Sequence, residues 1–198
     1  AGRLGRRRFR WDARRWRFRR GRRWFRRRGV GTMVSLSRLC RHLAAPPWRL
    51  RAAFPPPVLS AIEAAIRAGE TRHLGEIRFV VEGVLSLGAL WRGQTARARA
   101  LEVFSLLRVW DTEHNNGVLI YLLLADRDVE IVADRGINLR VGEAEWECLC
   151  RVMEAHFRAG EFERGVLEAV ASIAAHCERH YPFQGENPNE LPDRPALL

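Results

Sequence analysis

The stretch GVLIYLLLADRDVEIVADRGI, residues 117–137, decides the fold of this chain. It opens with an unbroken apolar run, Val118 to Leu124, which is rich in β-formers and too short for an independent helix. This run predicts a central strand that is covered on both faces. A polar turn at residues 125–128 leads into a second strand, Val129 to Ala133, so the two strands form a hairpin. The following Asp134-Arg135-Gly136 predicts a turn, in which glycine permits a backbone conformation that other residues resist.

A strand and a helix are predicted before the hairpin. Apolar and polar residues alternate from Ile77 to Glu82, which is typical of a strand. After a long connection, residues 83–93, Thr95 is the expected N-cap of a helix that reaches Val109 and has an apolar face extending to Trp110. A strand, a helix and a strand in this order form a right-handed crossover, so the first two strands should be parallel neighbours. The sequence thus predicts an α/β fold with a small mixed sheet, made of a parallel crossover and an antiparallel hairpin.

Four further helices are predicted from apolar residues at spacings of three and four. They span Val34 to Leu43, Pro57 to Gly69, Glu143 to Ala159, and Glu161 to Tyr181. The first should pack on the domain through an apolar stripe formed by Leu36, Leu39, Cys40 and Leu43. The segment from Ala44 to Trp48 should end it. The last two helices each have one apolar face and should lie against the sheet.

Composition divides the chain into four parts. Residues 1–32 form an Arg-rich leader, residues 33–53 a helix and linker, residues 54–181 the domain, and residues 182–198 a tail with four prolines. The net charge of +11 is uneven, because residues 1–31 hold 15 Arg against one acid while the remainder is mildly acidic. The tail should be disordered or lie extended over the domain.

The leader has two interpretations. Its Arg, Trp and Phe residues could form a disordered arm that binds nucleic acid or an anionic membrane. Alternatively, it is the product of another reading frame, since a one-nucleotide shift can turn Arg-Arg-Trp-Phe-Arg-Arg-Arg-Gly into a glycine-rich tail that overlaps a start at Met33. Nucleic acid is not an expected partner of the mildly acidic remainder. No apolar run is long enough for a signal peptide or a transmembrane segment, so we expect a cytoplasmic protein that can act at the inner face of the membrane.

Polar residues crowd the ends of the predicted strands. They are Glu82, Asp111, Asn115, Asn116 and Asp134. Oxygen donors of this kind suit a hard cation such as calcium, but turns are also rich in Asp and Asn, so a metal site and ordinary turns both stay open. His176 and His180 could share a metal, although two ligands do not make a site. The four cysteines have no metal-binding or redox spacing, and no phosphate loop or catalytic triad is legible.

Three motifs together carry a family resemblance. They are HLGEIRFVVE at residues 73–82, NNGVLIY at residues 115–121 and VEIVADRGI at residues 129–137. They resemble the TPM domain family, named after a thylakoid lumen phosphatase-like protein, a photosystem repair factor and an animal receptor accessory protein. The resemblance runs from about Phe54 to Tyr181, and NPNELPD at residues 187–193 is similar to the tail of short bacterial members.

The resemblance implies a three-layer α/β/α sandwich. It also implies weak phosphatase activity with calcium binding for some members and a non-enzymatic accessory role for others. Where many members have an acidic residue and a Gly-Tyr-Gly motif, this chain has Asn115-Asn116 and Ala133-Asp134-Arg135-Gly136.

The expected function is therefore that of an interaction and accessory module associated with cell-envelope proteins. Its expected partner is a protein, such as a membrane-anchored relative encoded nearby. The first alternative is a weak calcium-dependent acid phosphatase, and the second is nucleic-acid or anionic-membrane binding through the Arg-rich leader.

Overall fold

A computed structural model describes residues 35–46, 48–185 and 189–198. The interpretations of the Arg-rich leader lie outside these residues. The described residues form a four-stranded mixed sheet with helices on both faces. In chain order the elements are α1 (Leu36–Leu43), α2 (Trp48–Ala53), α3 (Pro56–Glu70), β1 (Glu76–Glu82), α4 (Leu87–Trp91), α5 (Ala96–Leu106), β2 (Gly117–Leu123), β3 (Asp128–Ala133), α6 (Arg135–Val141), α7 (Glu143–Ala159), α8 (Phe162–His180) and β4 (Ala196–Leu197).

The sheet has the order β3-β2-β1-β4. Strands β1 and β2 are parallel, with Glu76 opposite Gly117 and Glu82 opposite Leu123. Strand β3 is antiparallel to β2, with Val118 opposite Ala133. The predicted crossover and the predicted hairpin are both confirmed. Every residue of β2 is buried, as expected for a central strand that is covered on both faces.

Two apolar cores separate the layers. On one face of the sheet, residues such as Phe79 and Ile120 pack against α3, α7 and α8. On the other face, residues such as Val80 and Tyr121 pack against α4 and α5. The three-layer α/β/α sandwich is therefore confirmed. The boundaries of α7 agree with the prediction, and Gly160 ends this helix in a left-handed conformation, with φ of 83°.

Three short helices were not predicted. Helix α2 begins at Trp48, where the sequence suggested only the end of α1. Helix α4 lies within the connection of residues 83–93, and Ser86 caps it by accepting a hydrogen bond from the Ala89 amide at 3.3 Å. Helix α6 replaces the turn that was expected after β3. Tertiary contacts stabilise helices this short, since isolated helices of one or two turns are marginal in water.

The orientation of α1 differs from the prediction. Of the four residues expected to pack on the domain, Leu39 is partly buried against the core, but Leu36, Cys40 and Leu43 are exposed. His42 on the opposite side of the helix is buried instead. The predicted apolar face of α5 is also too long, because Trp110 is half exposed beyond the end of this helix.

The end of the tail joins the sheet. Ala196 and Leu197 form β4, which pairs in parallel with Val80 and Val81 of β1. Ahead of it, the amides of Glu190 and Leu191 donate hydrogen bonds to the carboxylate of Glu76 at 3.3 and 3.2 Å. For residues 189–198, the extended alternative is thus correct and the disordered one is wrong.

Candidate functional site

The strand register divides the five predicted metal ligands between the two ends of the sheet. Asn115 and Asn116 precede β2, and Asp134 follows β3. Because β3 runs antiparallel to β2, the amide of Asp134 donates to the carbonyl of Gly117, at the end where β2 begins. Glu82 lies opposite Leu123, at the far end of β2. A strand of this length spans roughly 20 Å, so Glu82 lies too far from the other candidates to share an ion with them.

Glu82 instead forms hydrogen bonds that join parts of the fold. Its Oε2 accepts a hydrogen bond from the Tyr121 hydroxyl at 2.7 Å and another from Arg99 Nε at 2.9 Å. Burial and the neighbouring Glu82 raise the pKa of Tyr121, so this phenol stays a hydrogen-bond donor. The carboxylate therefore ties β1 to β2 and α5.

Asp134 begins α6 at the other end of the sheet. Its Oδ1 accepts a 2.6 Å hydrogen bond from the amide of Arg135, which is the role of a helix N-cap. Its Oδ2 is buried and has no hydrogen-bond partner in the described part of the chain. An unsatisfied buried carboxylate oxygen is uncommon and can receive a cation or a proton donor.

The two asparagines occupy different environments. Asn116 is fully buried, and its Nδ2 donates to the carbonyl of Leu74 at 2.7 Å while its Oδ1 has no partner among the described residues. Asn115 is exposed, with a positive φ of 51°, and its carbonyl accepts from the amide of Ile137 at 3.2 Å. Asp111 is exposed in the turn that precedes them.

Gly136 is required for close packing. A Cβ at this position would lie 2.5 Å from the carbonyl oxygen of Asn115 and 2.8 Å from the hydroxyl of Tyr181. Its φ is not positive, so the backbone freedom inferred from the sequence is not what the site uses. The glycine allows the first turn of α6 to pack against the loop before β2.

This packing forms a cleft, here called the strand-end cleft. It is lined by Glu113, His114, Asn115, Arg135, Leu139, Arg140 and Tyr181. The Arg140 guanidinium lies 4.8 Å from the centre of the Tyr181 ring and donates to the carbonyl of His180 at 3.2 Å. Leu139 is 81% exposed between the two arginines. Two guanidinium groups beside a tyrosine and an exposed leucine favour an acidic or anionic ligand.

Sequence reasoning missed the arginines and the tyrosine of this cleft. They belong to α6 and α8, and only the packing of these two helices brings them together. One signal was available, because an Asp directly after a strand is a strong N-cap and predicts a following helix.

The cleft does not fit a high-affinity calcium site. Calcium takes about six to eight oxygen ligands. In the described part of the chain, the side-chain oxygens at this end of the sheet that lack a hydrogen-bond partner are Oδ2 of Asp134 and Oδ1 of Asn116. In residues 35–46, 48–185 and 189–198, no three His, Cys, Asp or Glu side chains are grouped so that they could hold a metal. Weak calcium binding at Asp134 and the two asparagines stays a prediction.

The remaining candidate groups include the four cysteines and His176. All four cysteines are free, and burial raises the pKa of Cys150 and of Cys177 to about 12, so neither is a thiolate at neutral pH. Nε2 of His176 lies 3.5 Å from Oε1 of Glu145, which supplies an ion-pair partner when the imidazole is protonated. None of the helices in the described part of the chain has both the length and the apolar character needed to cross a bilayer.

Comparisons with known proteins identify the fold. The family model of the TPM domain matches residues 52–176. Among solved structures, the chain is similar to the BA42 protein of the psychrophilic bacterium Bizionia argentinensis, with a TM-score of 0.63 and 27% sequence identity over 72% of this chain and 93% of that chain. The N-terminal domain of a protein from P. gingivalis matches with a TM-score of 0.49 and 18% identity over 71% of this chain and 94% of that chain. No curated protein matches.

Proposed function

This chain belongs to the TPM domain family, and from that premise we propose that it is an interaction module whose strand-end cleft binds an acidic segment of a protein partner. The observation that carries the proposal is the exposure of Leu139 between Arg135 and Arg140. Arg and Tyr are enriched among the residues that dominate binding energy at protein interfaces. An acidic segment with one apolar side chain would match this surface in both charge and shape.

The partner that fits best is a membrane-anchored relative at the cell envelope. A carboxylate of its segment would pair with the two guanidinium groups, and its apolar side chain would cover Leu139. The protein itself would act from the cytoplasmic side as an accessory subunit. Glu82, which the sequence suggested as a metal ligand, is not needed in this role, because Tyr121 and Arg99 already bind its carboxylate.

The experiment measures binding of the full chain to the purified soluble part of such a relative. Leu139→Glu and Arg140→Glu should each weaken binding by at least about tenfold, since central interface contacts of this type contribute most of the affinity. Leu101→Glu on α5 is the matched control, because Leu101 is also an exposed leucine on a helix. Thermal unfolding of each variant checks the fold. Equal affinities for the wild type and the cleft variants would contradict the proposal.

A weak calcium-dependent phosphatase is the second candidate. The buried Oδ2 of Asp134, which has no partner among the described residues, favours it, since Asp134 directly precedes Arg135, which lines the cleft together with Arg140. The test is turnover of a generic phosphate ester by the chain with calcium and with a chelator. Activity that is lost on chelation and in Asp134→Ser would support the phosphatase, whereas no turnover in either condition would reject it.

A further inference from the structure

Helix α1 presents three of its apolar residues to solvent, while its Leu39 is partly buried against the core that α4 and α5 cover. Leu36 is 77% exposed, Leu43 is 65% exposed, and Cys40 between them is also exposed. Residues four and three positions apart lie on one side of a helix, so these three form a single outward stripe. An ordinary surface helix would turn this stripe toward the core.

The polar side of α1 holds the helix in this orientation. Arg38 donates from Nε and Nη2 to Oδ2 of Asp126 at 2.9 and 2.6 Å. The amide of Leu85 donates to Nδ1 of His42 at 3.1 Å, and Nε2 of His42 lies 3.2 Å from Oδ1 of Asp126. Rotating α1 to bury its leucines would break these contacts, so the exposure of the stripe is built into the fold.

Other elements at the same end of the sheet also expose apolar side chains. Leu85 directly precedes α4, on which Leu87 is 53% and Trp91 70% exposed. Leu198 is half exposed, and its carbonyl accepts from the amide of Gly83, the first residue after β1. The exposed residues around the C-terminal ends of β1 and β2, here called the apolar end, are thus Leu36, Leu43, Leu87, Trp91 and Leu198, together with the half-exposed Trp48 at the start of α2.

The charges at the apolar end are predominantly positive on the outside. Arg41, Arg49 and Arg92 are exposed, and Arg41 also lies 3.5 Å from Oδ1 of Asp126. Two carboxylates at this end are turned inward, since Arg38 binds that of Asp126 and Arg99 binds that of Glu82.

We propose that the apolar end docks the protein on an anionic lipid surface. Leucine and tryptophan side chains with interspersed arginines are the pattern of surfaces that lie in the membrane interface, where tryptophan prefers the level of the headgroups. Arginines beside them are attracted to the negative charge of the headgroups. The strand-end cleft lies at the opposite end of the sheet, so lipid contact at the apolar end leaves the cleft open to a protein partner.

Vesicle binding by the full chain tests this. Vesicles of phosphatidylglycerol mixed with phosphatidylcholine should bind the chain, and vesicles of phosphatidylcholine alone should bind it much more weakly. Replacing Leu36 and Leu43 together by Ser should lower the affinity by at least about tenfold, because two apolar contacts are lost. Replacing Leu106 by Ser is the control, since it is an exposed leucine at the C-terminal end of α5, which leads to the start of β2 at the opposite end of the sheet, and it should have no effect.

The arginines of residues 1–31 could bind anionic vesicles without α1, so a second measurement reports on the stripe itself. An environment-sensitive fluorophore on Cys40, in a Cys148→Ser background, should shift to the blue on vesicles and become protected from iodide. The same fluorophore on the exposed Cys148 of α7, in a Cys40→Ser background, should remain accessible.

Three results would overturn the proposal. A label on Cys40 that stays accessible while the chain is vesicle-bound would place the contact elsewhere. Equal vesicle binding by the wild type and by the variant with both Leu36→Ser and Leu43→Ser would also place the contact elsewhere. A concentration-dependent dimer that this variant dissociates would show that a second copy of the chain covers the stripe.

Discussion

The hydroxyl of Tyr121, in the central strand, donates a 2.7 Å hydrogen bond to Oε2 of Glu82, the last residue of the neighbouring strand. Both residues are buried on the face of the sheet that α5 covers. Arg99 of α5 completes the arrangement with a 2.9 Å hydrogen bond to the same oxygen. A carboxylate that the sequence suggested as a metal ligand thus joins two strands and a helix.

Removing this carboxylate should destabilise the fold. Glu82→Ala leaves the Tyr121 hydroxyl and the Arg99 guanidinium without their acceptor, and it should lower the free energy of unfolding by about 1.5 to 3 kcal/mol. Urea denaturation measures the loss. Glu102→Gln is the control, because exposed Glu102 also binds Arg99 and should change stability by less than about 0.5 kcal/mol. Equal effects of the two substitutions would show that the buried hydrogen bonds contribute little.

Each face of the central strand should be sensitive to truncation. Ile120 faces the core formed with α3, α7 and α8, and Leu123 faces the core formed with α4 and α5. Ile120→Ala and Leu123→Ala should each lower the free energy of unfolding by about 2 to 5 kcal/mol, since each leaves a cavity in a packed layer. A large loss for one and a negligible loss for the other, measured by urea denaturation, would contradict a sheet covered on both faces.

The buried carboxyls under the tail should make stability depend on pH. Burial raises the pKa of Glu76 to about 7 and that of Glu70 to about 9, from an ordinary value of 4.5. The folded state therefore keeps protons that the unfolded state has lost, so the stabilisation is complete below pH 4.5 and decreases as the pH rises through about 7 and 9. Burial raises the pKa of Glu130 to about 7 as well, which adds to the same downward slope of stability against pH.

Urea denaturation at several pH values between about 5 and 9 measures this slope. Glu70→Gln keeps an acceptor for the amide of Ile77, which now donates to Glu70 at 3.1 Å, and it should flatten the slope. Exposed Glu163→Gln should leave the slope unchanged. A stability that rises with pH over this range would contradict the raised pKa values.

Calcium should bind only weakly at Asp134, Asn115 and Asn116, at the end of the sheet where β2 begins. With Asp134 as the one partly buried carboxylate there, we expect a dissociation constant of roughly 10⁻⁴ to 10⁻³ M. Calcium at a few times this concentration would then stabilise the fold by about 1 kcal/mol through mass action. Thermal unfolding with increasing calcium measures the shift. Asp134→Ser is a better test than alanine, because serine also caps helices and so removes the charge without removing the N-cap of α6.

A calcium shift that persists in Asp134→Ser would place the ion elsewhere. Saturation in the micromolar range would show a site of higher affinity than these residues can provide.

The sequence by itself determined the central layers of this protein. The apolar run from Val118 to Leu124 could only be a strand covered on both faces, and the short polar turn after it could only lead into an antiparallel partner. The apolar spacings of α7 and α8 likewise predicted their buried faces, the boundaries of α7, and those of α8 to within one residue at each end. Local periodicity carries this information because a buried face must repeat with the geometry of its own element.

Tertiary structure decided the rest. Whether Glu82 and Asp134 meet depends on which strand ends coincide, and the register puts them at opposite ends of the sheet. The arginines of the strand-end cleft come together only through the packing of α6 and α8. The inward side of α1 was set by Asp126, which lies 88 positions from Arg38 in the chain, and its hydrogen bonds outweigh the apolar stripe that the sequence favoured. Contacts between residues so far apart leave no periodic signal, which is why only the folded chain shows them.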